Sequence, residues 1–270
     1  CSTTMYLNRN TFSKSMMKMK LRLNIVLPVL AMLLLSSFAA AMLIPANDKA
    51  RENAKAPGHS PVIEETPAGE WDLERFDFIH YAKPVSPSKP GTDTCYKLMG
   101  VKWAALPVSY AVNPSNSQGL SEEFVLGTLS ASSEAWDAAT SSELLNAPSV
   151  DYTAQYGVQD YQNAVAFGDY SDSNVIGVTT VWYTRVGKRI VEFDMLFNTR
   201  FQWGDASLNP ALMDLQNIAT HEFGHSVGMS DIYSASCTAV TMYGYSNNCD
   251  IAKRTLEQPD AAGLQKMYGL

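Results

Sequence analysis

The chain has 270 residues, of which 46% are hydrophobic, and a formal net charge of −7 at pH 7. This length is enough for one sizeable domain with accessory segments, and the hydrophobic content is ordinary for a globular core. The negative balance gives no indication of a nucleic acid as a partner.

Residues 1–44 have the pattern of an N-terminal leader. A basic region precedes a run without charged residues over positions 23–44, and small residues follow its apolar centre. These features are typical of a secretory signal peptide, and we expect cleavage after Ala41 or nearby. The run is also long enough to span a bilayer, so a membrane anchor is the alternative. The basic flank places the rest of the chain outside the cytoplasm in both cases. Its residues are Lys14, Lys18, Lys20 and Arg22.

Residues 45–93 are polar and rich in proline, which predicts a linker or a pro-segment. They contain one aromatic island, residues 71–81, whose composition indicates docking on another surface. Two interpretations are open: a pro-peptide that lies in an active-site cleft, or a strap packed on the domain surface.

Residues 94–270 contain the predicted domain. An alternating strand is expected at residues 108–112, and Ser121 caps a helix that should extend to about Ala139.

A short strand is expected at residues 164–167. The following loop, residues 168–174, is rich in oxygen ligands, so it is either a calcium site or an ordinary solvated loop. Residues 176–184 and 190–197 indicate a hairpin joined by a tight turn.

The next predicted helix begins with Asn209 as N-cap and Pro210 in the first turn, and it extends to about Val227. It carries the start of the pattern H-E-x-x-H-x-x-G-x-x-D. His221 and His225 are four residues apart, so they lie on one helix face and can direct two imidazoles at one metal ion.

The rest of the pattern suits a catalytic zinc site, in which three protein ligands leave a position for water. Gly228 can turn the chain back after the helix, which brings Asp231 within reach as a third ligand. Asp231 as a turn or cap residue is the alternative. Glu222 lies beside the first ligand, where a carboxylate can accept a proton from water.

This pattern, with a third ligand and a methionine turn after it, resembles the metzincin zinc endopeptidases. Aspartate in the third place is similar to the snapalysin-type bacterial proteases. Residues 241–244 and 256–269 resemble the Met-turn and the last helix of the matrixins. The resemblance implies an α+β (mixed α/β) catalytic domain over residues 94–270. Its sheet should be twisted and mostly parallel with an antiparallel edge strand, packed on a long helix and the active-site helix, with a C-terminal helix.

The resemblance also implies roles for further residues. Met242 would pack beneath the zinc ligands, while Tyr243 and Tyr245 are candidates for stabilising an oxyanion or shaping the pocket. The best match to the substrate-binding edge strand is residues 177–184, which have no charge and no proline; its test positions are Val178, Thr180 and Val181. A bare edge is either covered in the fold or kept open for a partner, and a central strand is the alternative.

Three cysteines remain after removal of the leader: Cys95, Cys237 and Cys249. Cys237 and Cys249 bracket the Met-turn, and a disulfide between them is plausible outside the cytoplasm. The resemblance to matrixin zymogens makes Cys95 a candidate switch on the zinc. Packing, or pairing with one of the other two cysteines, is its alternative.

We therefore predict an exported zinc endopeptidase that hydrolyses peptide bonds through water activated by Glu222. It should bind one catalytic zinc ion, act as a monomer on protein or peptide substrates, and contact a membrane only through an uncleaved leader. The alternative is a non-catalytic surface or adhesion protein that retains the metzincin fold, against which the intact Glu222 argues. A zinc hydrolase acting on a small molecule is a third interpretation.

Overall fold

The computed structural model describes residues 62–65, 72–82 and 94–270, so the predicted leader and its alternative as a membrane anchor lie outside the described residues. Among the helices that are described, none combines the length and apolar character needed to cross a bilayer. The strands are β1 (Val62–Glu65), β2 (Leu73–Ala82), β3 (Lys102–Trp103), β4 (Ala111–Asn113), β5 (Ser149–Val150), β6 (Ala164–Gly168), β7 (Val175–Thr184), β8 (Arg189–Asn198), β9 (Trp203–Gly204), β10 (Met213–Asp214) and β11 (Tyr245–Ser246). The helices are α1 (Glu122–Asp137), α2 (Leu215–Ser226) and α3 (Gln258–Tyr268), with short 3-10 turns at Ala235–Cys237 and Ala252–Arg254.

The main sheet contains both parallel and antiparallel pairs, in the order β1-β2-β7-β8-β6-β4-β5. Strands β8, β6, β4 and β5 run parallel to one another. Strand β7 is antiparallel to β8, which confirms the predicted hairpin and the mixed α/β fold class. The sheet continues beyond β7 with two further antiparallel strands, β2 and β1.

The predicted edge strand with Val178, Thr180 and Val181 is covered in this conformation, and its role in binding substrate stays a prediction. These residues lie in β7, which pairs with β8 on one side and with β2 on the other, and each is at most 2% exposed. Strand β2 comes from the segment predicted as a linker or pro-segment. Its aromatic island alternates between buried and half-buried positions, as expected of a strand with one face on a core. The island is therefore built into the sheet.

The main core lies between the sheet and the helices α1 and α2. Large side chains from both layers are fully buried there, because alternate strand residues and one helix stripe face each other. They include Leu129, Trp136, Phe193, Phe197, Ile218 and Phe223.

Helix α1 begins as the sequence predicts. The Ser121 Oγ accepts the backbone N–H of Phe124 at 3.1 Å, which satisfies one of the unpaired donors of the first turn. At the other end Trp136 donates its indole N–H to the carbonyl of Thr220 at 2.7 Å and so holds α1 against α2. The helix ends at Asp137, shortly before the predicted Ala139.

Helix α2 begins later than predicted. Its N-cap is Asp214, whose Oδ1 accepts the backbone N–H of Asn217 at 2.8 Å. The predicted cap, Asn209, instead accepts the N–H of Ala211 at 3.1 Å in a local turn that does not continue into a helix. The guanidinium of Arg254 contacts the Asp214 carboxylate, Nε to Oδ1 at 2.8 Å, and anchors the start of α2.

The predicted disulfide between Cys237 and Cys249 is also wrong, because Cys237 is bonded to Cys95 with 5.3 Å between their Cα atoms. The reason is a contact between segments distant in sequence. Residue Leu98 forms a bridge with Met229, and the N–H of Ser230 donates to the carbonyl of Lys97, so the chain after Cys95 runs beside the loop that follows α2. The pairing of Cys95 with one of the other two cysteines was the alternative, and it removes Cys95 as a thiol switch.

The loop considered for calcium has other partners for its carboxylates. Asp169 makes a bidentate pair with Arg200, at 2.7 and 3.0 Å, and Asp172 Oδ1 accepts the N–H and the side-chain amide of Asn174. Calcium binding here stays a prediction, and these contacts do not favour it.

Two helical glycines allow a matched test of the packing below α2. A Cβ on Gly224 would lie 2.2 Å from Met242 Sδ and 2.6 Å from the Trp136 ring, whereas a Cβ on the exposed Gly127 of α1 would meet nothing within 4 Å. We expect Gly224→Ala to lower the free energy of unfolding by about 1–3 kcal/mol through overpacking. Gly127→Ala should raise it by up to about 1 kcal/mol, since alanine is the better helix former. Urea denaturation would measure both, and a Gly224→Ala protein as stable as the parent would contradict this packing.

Candidate metal centre

Helix α2 places His221 and His225 on one face, as their spacing predicts. Both side chains are at most 1% exposed, and their Nε2 atoms lie 3.2 Å apart. After the helix, Gly228 turns the chain at φ +100°, where a Cβ would meet the carbonyl oxygen of Val101 at 2.6 Å. Only glycine fits this close approach without strain. The turn brings Asp231 Oδ1 to 3.1 Å from His221 Nε2 and 3.5 Å from His225 Nε2.

Backbone carbonyls fix the tautomer of both imidazoles. His221 Nδ1 lies 2.7 Å from the carbonyl oxygen of Thr241, and His225 Nδ1 lies 2.9 Å from that of Met229. A carbonyl can only accept, so each Nδ1 carries the hydrogen and each Nε2 presents a lone pair to the centre. Burial lowers the pKa of His221 to about 4, which keeps this ring neutral at pH 7.

Three acceptors therefore face one another without a donor between them. The Asp231 Oδ1 is buried and has no hydrogen-bond partner. Such an arrangement is unfavourable unless a cation occupies the centre. Ligands roughly 2.0–2.1 Å from a tetrahedral zinc lie about 3.3–3.4 Å from each other, which fits the observed spacing.

Glu222 lies beside this ligand set and is fully buried. Its Oε2 accepts the hydroxyl of Thr179 in β7 at 2.6 Å, and its Oε1 lies 3.3 Å from Nδ1 of His80 in β2. A Cβ on Gly177 would lie 3.0 Å from Oε1, so glycine at this position leaves room for the carboxylate. Burial raises the pKa of Glu222 to about 7.

Two further residues lie at the centre, His80 and Lys253, and the sequence pattern did not indicate either of them. The Lys253 ammonium can only donate, and it lies 3.2 Å from His80 Nε2. His80 Nε2 is therefore the acceptor, and His80 Nδ1–H donates to Glu222. The alternation of Phe76, Phe78 and His80 was visible in the aromatic island, but nothing local to it indicates what its buried face contacts.

Strand β2 covers the centre with two rings. The rings of His80 and His221 have centroids 4.0 Å apart, and the rings of Phe78 and His225 stack at 4.0 Å with an interplanar angle of 9°. The two predicted ligands on α2 thus lie beneath β2, which explains their complete burial.

Lys253 is 2% exposed and follows β11 in the short 3-10 turn. Its ammonium also donates a short hydrogen bond to the carbonyl of Tyr243, and its backbone N–H donates to Asn217 Oδ1 at 2.7 Å. Burial lowers the pKa of Lys253 to about 8, so the side chain is mostly charged at pH 7. A lysine beside an arginine in a polar segment gives no sign of this burial in the sequence.

The methionine turn lies beneath α2 as the resemblance implies. Met242 is fully buried against Gly224. The buried Asp260 of α3 holds the turn, because its carboxylate accepts the N–H of Thr241 at 2.9 Å and that of Met242 at 3.2 Å. This positions the Thr241 carbonyl that orients His221.

The two candidate tyrosines, Tyr243 and Tyr245, are buried in a second hydrophobic cluster together with Ile232, Cys237 and Val240. Tyr243 offers its carbonyl to Lys253, and Tyr245 pairs with Tyr81 of β2. The phenol that touches the ligand set is instead that of Tyr233, which donates to Asp231 Oδ2 at 3.0 Å. A role of Tyr243 or Tyr245 at an oxyanion stays a prediction.

Comparison with known families gives one match. The family model described as Matrixin matches residues 102–269. This range includes α1, α2 and the three residues that converge at the centre, His221, His225 and Asp231. No curated protein matches the chain. The match covers more than half of the 270 residues and confirms the resemblance to the matrixins. With this fold and this centre, the chain belongs to the matrixin family.

Proposed function

We propose that the protein is a zinc-dependent endopeptidase that hydrolyses peptide bonds in protein substrates. The observation that carries this function is the convergence of His221 Nε2, His225 Nε2 and Asp231 Oδ1, buried and without a donor, beside the carboxylate of Glu222. Membership of the matrixin family supports the zinc peptidase class and a protein or peptide substrate. Asp231 would be the third ligand, in the place where most metzincins have histidine.

Bound zinc supplies Lewis acidity, which makes water a nucleophile at neutral pH. Glu222 can accept the proton of the attacking water and return it to the leaving amine. Thr179 orients the carboxylate by donating to Oε2, which leaves Oε1 for the water once His80 is withdrawn.

We further propose that the conformation with β2 in place is a latent form. His80 occupies Glu222 Oε1, and β2 lies over both imidazoles. Strand β2 is extended, antiparallel to β7 and parallel to β11, which is how an added peptide strand pairs with a sheet. A substrate peptide would therefore take the place of β2 after β2 has moved away.

Cutting the chain between β2 and residue 94 should activate the protein. The recognition sequence of a site-specific protease would replace residues 86–90 of the full chain. Before the cut, the tether keeps β2 at an effective concentration of about millimolar, and afterwards dilution favours its release. Casein hydrolysis should appear only after the cut, and a chelator should abolish it.

Size exclusion and mass spectrometry would show whether the fragment has left. If it stays bound, Phe78→Asp in the same chain should release it, whereas Ile79→Asp on the half-buried face should do so less. A protein that has lost the fragment, remains folded and hydrolyses nothing would support the non-catalytic alternative.

The two carboxylates at the centre should have separable roles. In the cut protein, Glu222→Gln should keep zinc near one per chain but lower peptide hydrolysis by roughly 10²–10⁴-fold, because the proton acceptor is lost. Asp231→Ala should lose most of the bound zinc, and Asp231→His should restore part of it. Zinc analysis beside the hydrolysis assay would measure both. Full zinc binding by Asp231→Ala would leave Asp231 as a turn residue only.

We also propose that the protein is exported. The basic flank and the apolar run of residues 14–44 support this, and so does the Cys95–Cys237 disulfide, since such bonds persist in oxidising compartments.

The exported protein should begin near Met42, because the small residues 39–41 provide the cleavage site. Mass spectrometry of the protein recovered from the medium or periplasm would determine its first residue. Recovery of uncut protein in the membrane fraction would indicate the anchor instead.

A further inference from the structure

Lys253 is a buried cation that forms no ion pair with a carboxylate in the part of the chain that the structure describes. Among the described residues, no carboxylate oxygen lies within 4.0 Å of its ammonium. Buried lysines are rare and are normally paired, because transfer of a charge out of water is costly. The ammonium has three N–H donors, and the described residues give it two acceptors, the Tyr243 carbonyl and His80 Nε2.

These two acceptors differ in origin. Tyr243 belongs to the methionine turn and stays in place whatever occupies the cleft. His80 belongs to β2, so its Nε2 leaves with the strand. Release of β2 would thus remove the His80 acceptor and leave this donor facing the space that a substrate side chain enters.

The position of His80 in β2 defines which substrate residue meets Lys253. His80 lies directly opposite Gly177 of β7, and the next residue, Tyr81, pairs with Tyr245 of β11. Its side chain passes the His221 ring and reaches Lys253. In an extended peptide that replaces β2, one side chain would follow this path.

We infer that Lys253 determines substrate specificity by selecting a side chain with an oxygen acceptor at the position that His80 occupies. The acceptor Nε2 of histidine is three bonds beyond Cβ, and so are the Oε atoms of glutamate and glutamine. Aspartate and asparagine are one bond shorter, and leucine has no acceptor. This inference rests on the proposed peptidase function and on substrate taking the place of β2.

Glutamate and glutamine differ in the charge of the acceptor that they would offer to Lys253. A carboxylate makes the stronger, charge-assisted hydrogen bond with an ammonium. Glu222, Asp231, Asp250 and Asp260 already act on Lys253 electrostatically, which favours a neutral acceptor. Both side chains satisfy the buried donor, whereas leucine leaves it unpaired.

The direct test is a cleavage profile of the full chain cut between β2 and residue 94. Peptides that differ only by Glu, Gln, Asp, Leu or Met at one position at a time would be compared by mass spectrometry. At one subsite we expect Glu or Gln to give a kcat/KM at least about tenfold above that of Leu, because a site built for a hydrogen bond rejects the analogue that lacks it. Lys253→Met should remove this preference or reverse it.

Lys266→Met is the matched control. Lys266 is exposed on α3, and its ammonium lies over the Tyr96 ring. Its replacement by methionine should therefore leave the cleavage profile unchanged. An equal or higher kcat/KM for Leu at every subsite of the parent would overturn the inference and leave the peptidase function intact.

A second experiment needs no hydrolysis and uses the uncut chain. His80→Gln keeps an acceptor for Lys253, and His80→Leu removes it. The urea midpoint should fall less for His80→Gln than for His80→Leu, and this difference should vanish in a Lys253→Met background. The same difference in both backgrounds would show that Lys253 does not sense residue 80. If the cut chain hydrolyses no peptide while this cycle shows the coupling, then the peptidase proposal fails and the recognition of an acceptor by Lys253 stands.

Discussion

Two backbone carbonyls, those of Thr241 and Met229, orient the imidazoles of the candidate metal centre. By accepting from the Nδ1–H of His221 and His225, they direct both Nε2 lone pairs at Asp231 Oδ1. Much of the surrounding structure serves to hold these carbonyls and the helix they face. Asp260 holds the methionine turn, Trp136 holds α2 from the other side, and a glycine at position 224 lets methionine and tryptophan meet beneath the helix. The orientation of the two imidazoles depends on this packing, because a tautomer fixed by the backbone needs no metal to be in place.

The centre itself could be predicted because its information is local. Two histidines four residues apart on a helix, a glutamate beside the first histidine, and a glycine before the aspartate all lie within residues 221–231. The hairpin of β7 and β8 was predictable for the same reason. The start of α2 was not, because Asn209 and Pro210 offer a good local cap, while Asp214 is chosen by its contact with Arg254 from another part of the chain.

Contacts between distant segments account for the other errors and omissions. The Cys95–Cys237 bond spans 142 residues, and so does the contact of His80 with Glu222. Contacts between residues so far apart in the sequence produce no recognisable pattern among neighbouring residues. Lys253 is a further example, since its burial follows from where β11 and β2 meet. The sequence did show that residues 71–81 dock on something, but the partner became visible only in the fold.

Strand β2 also explains the composition of β7. A strand of ten residues without charge or proline would be an aggregation hazard if its edge were open. Strand β2 satisfies the backbone groups of that edge, and its residues 76, 78 and 80 fill the space above α2. Under the proposed function, a substrate peptide that replaces β2 would share its direction and its side-chain spacing. The acceptor that His80 presents to Lys253 would then indicate the side chain preferred at that position.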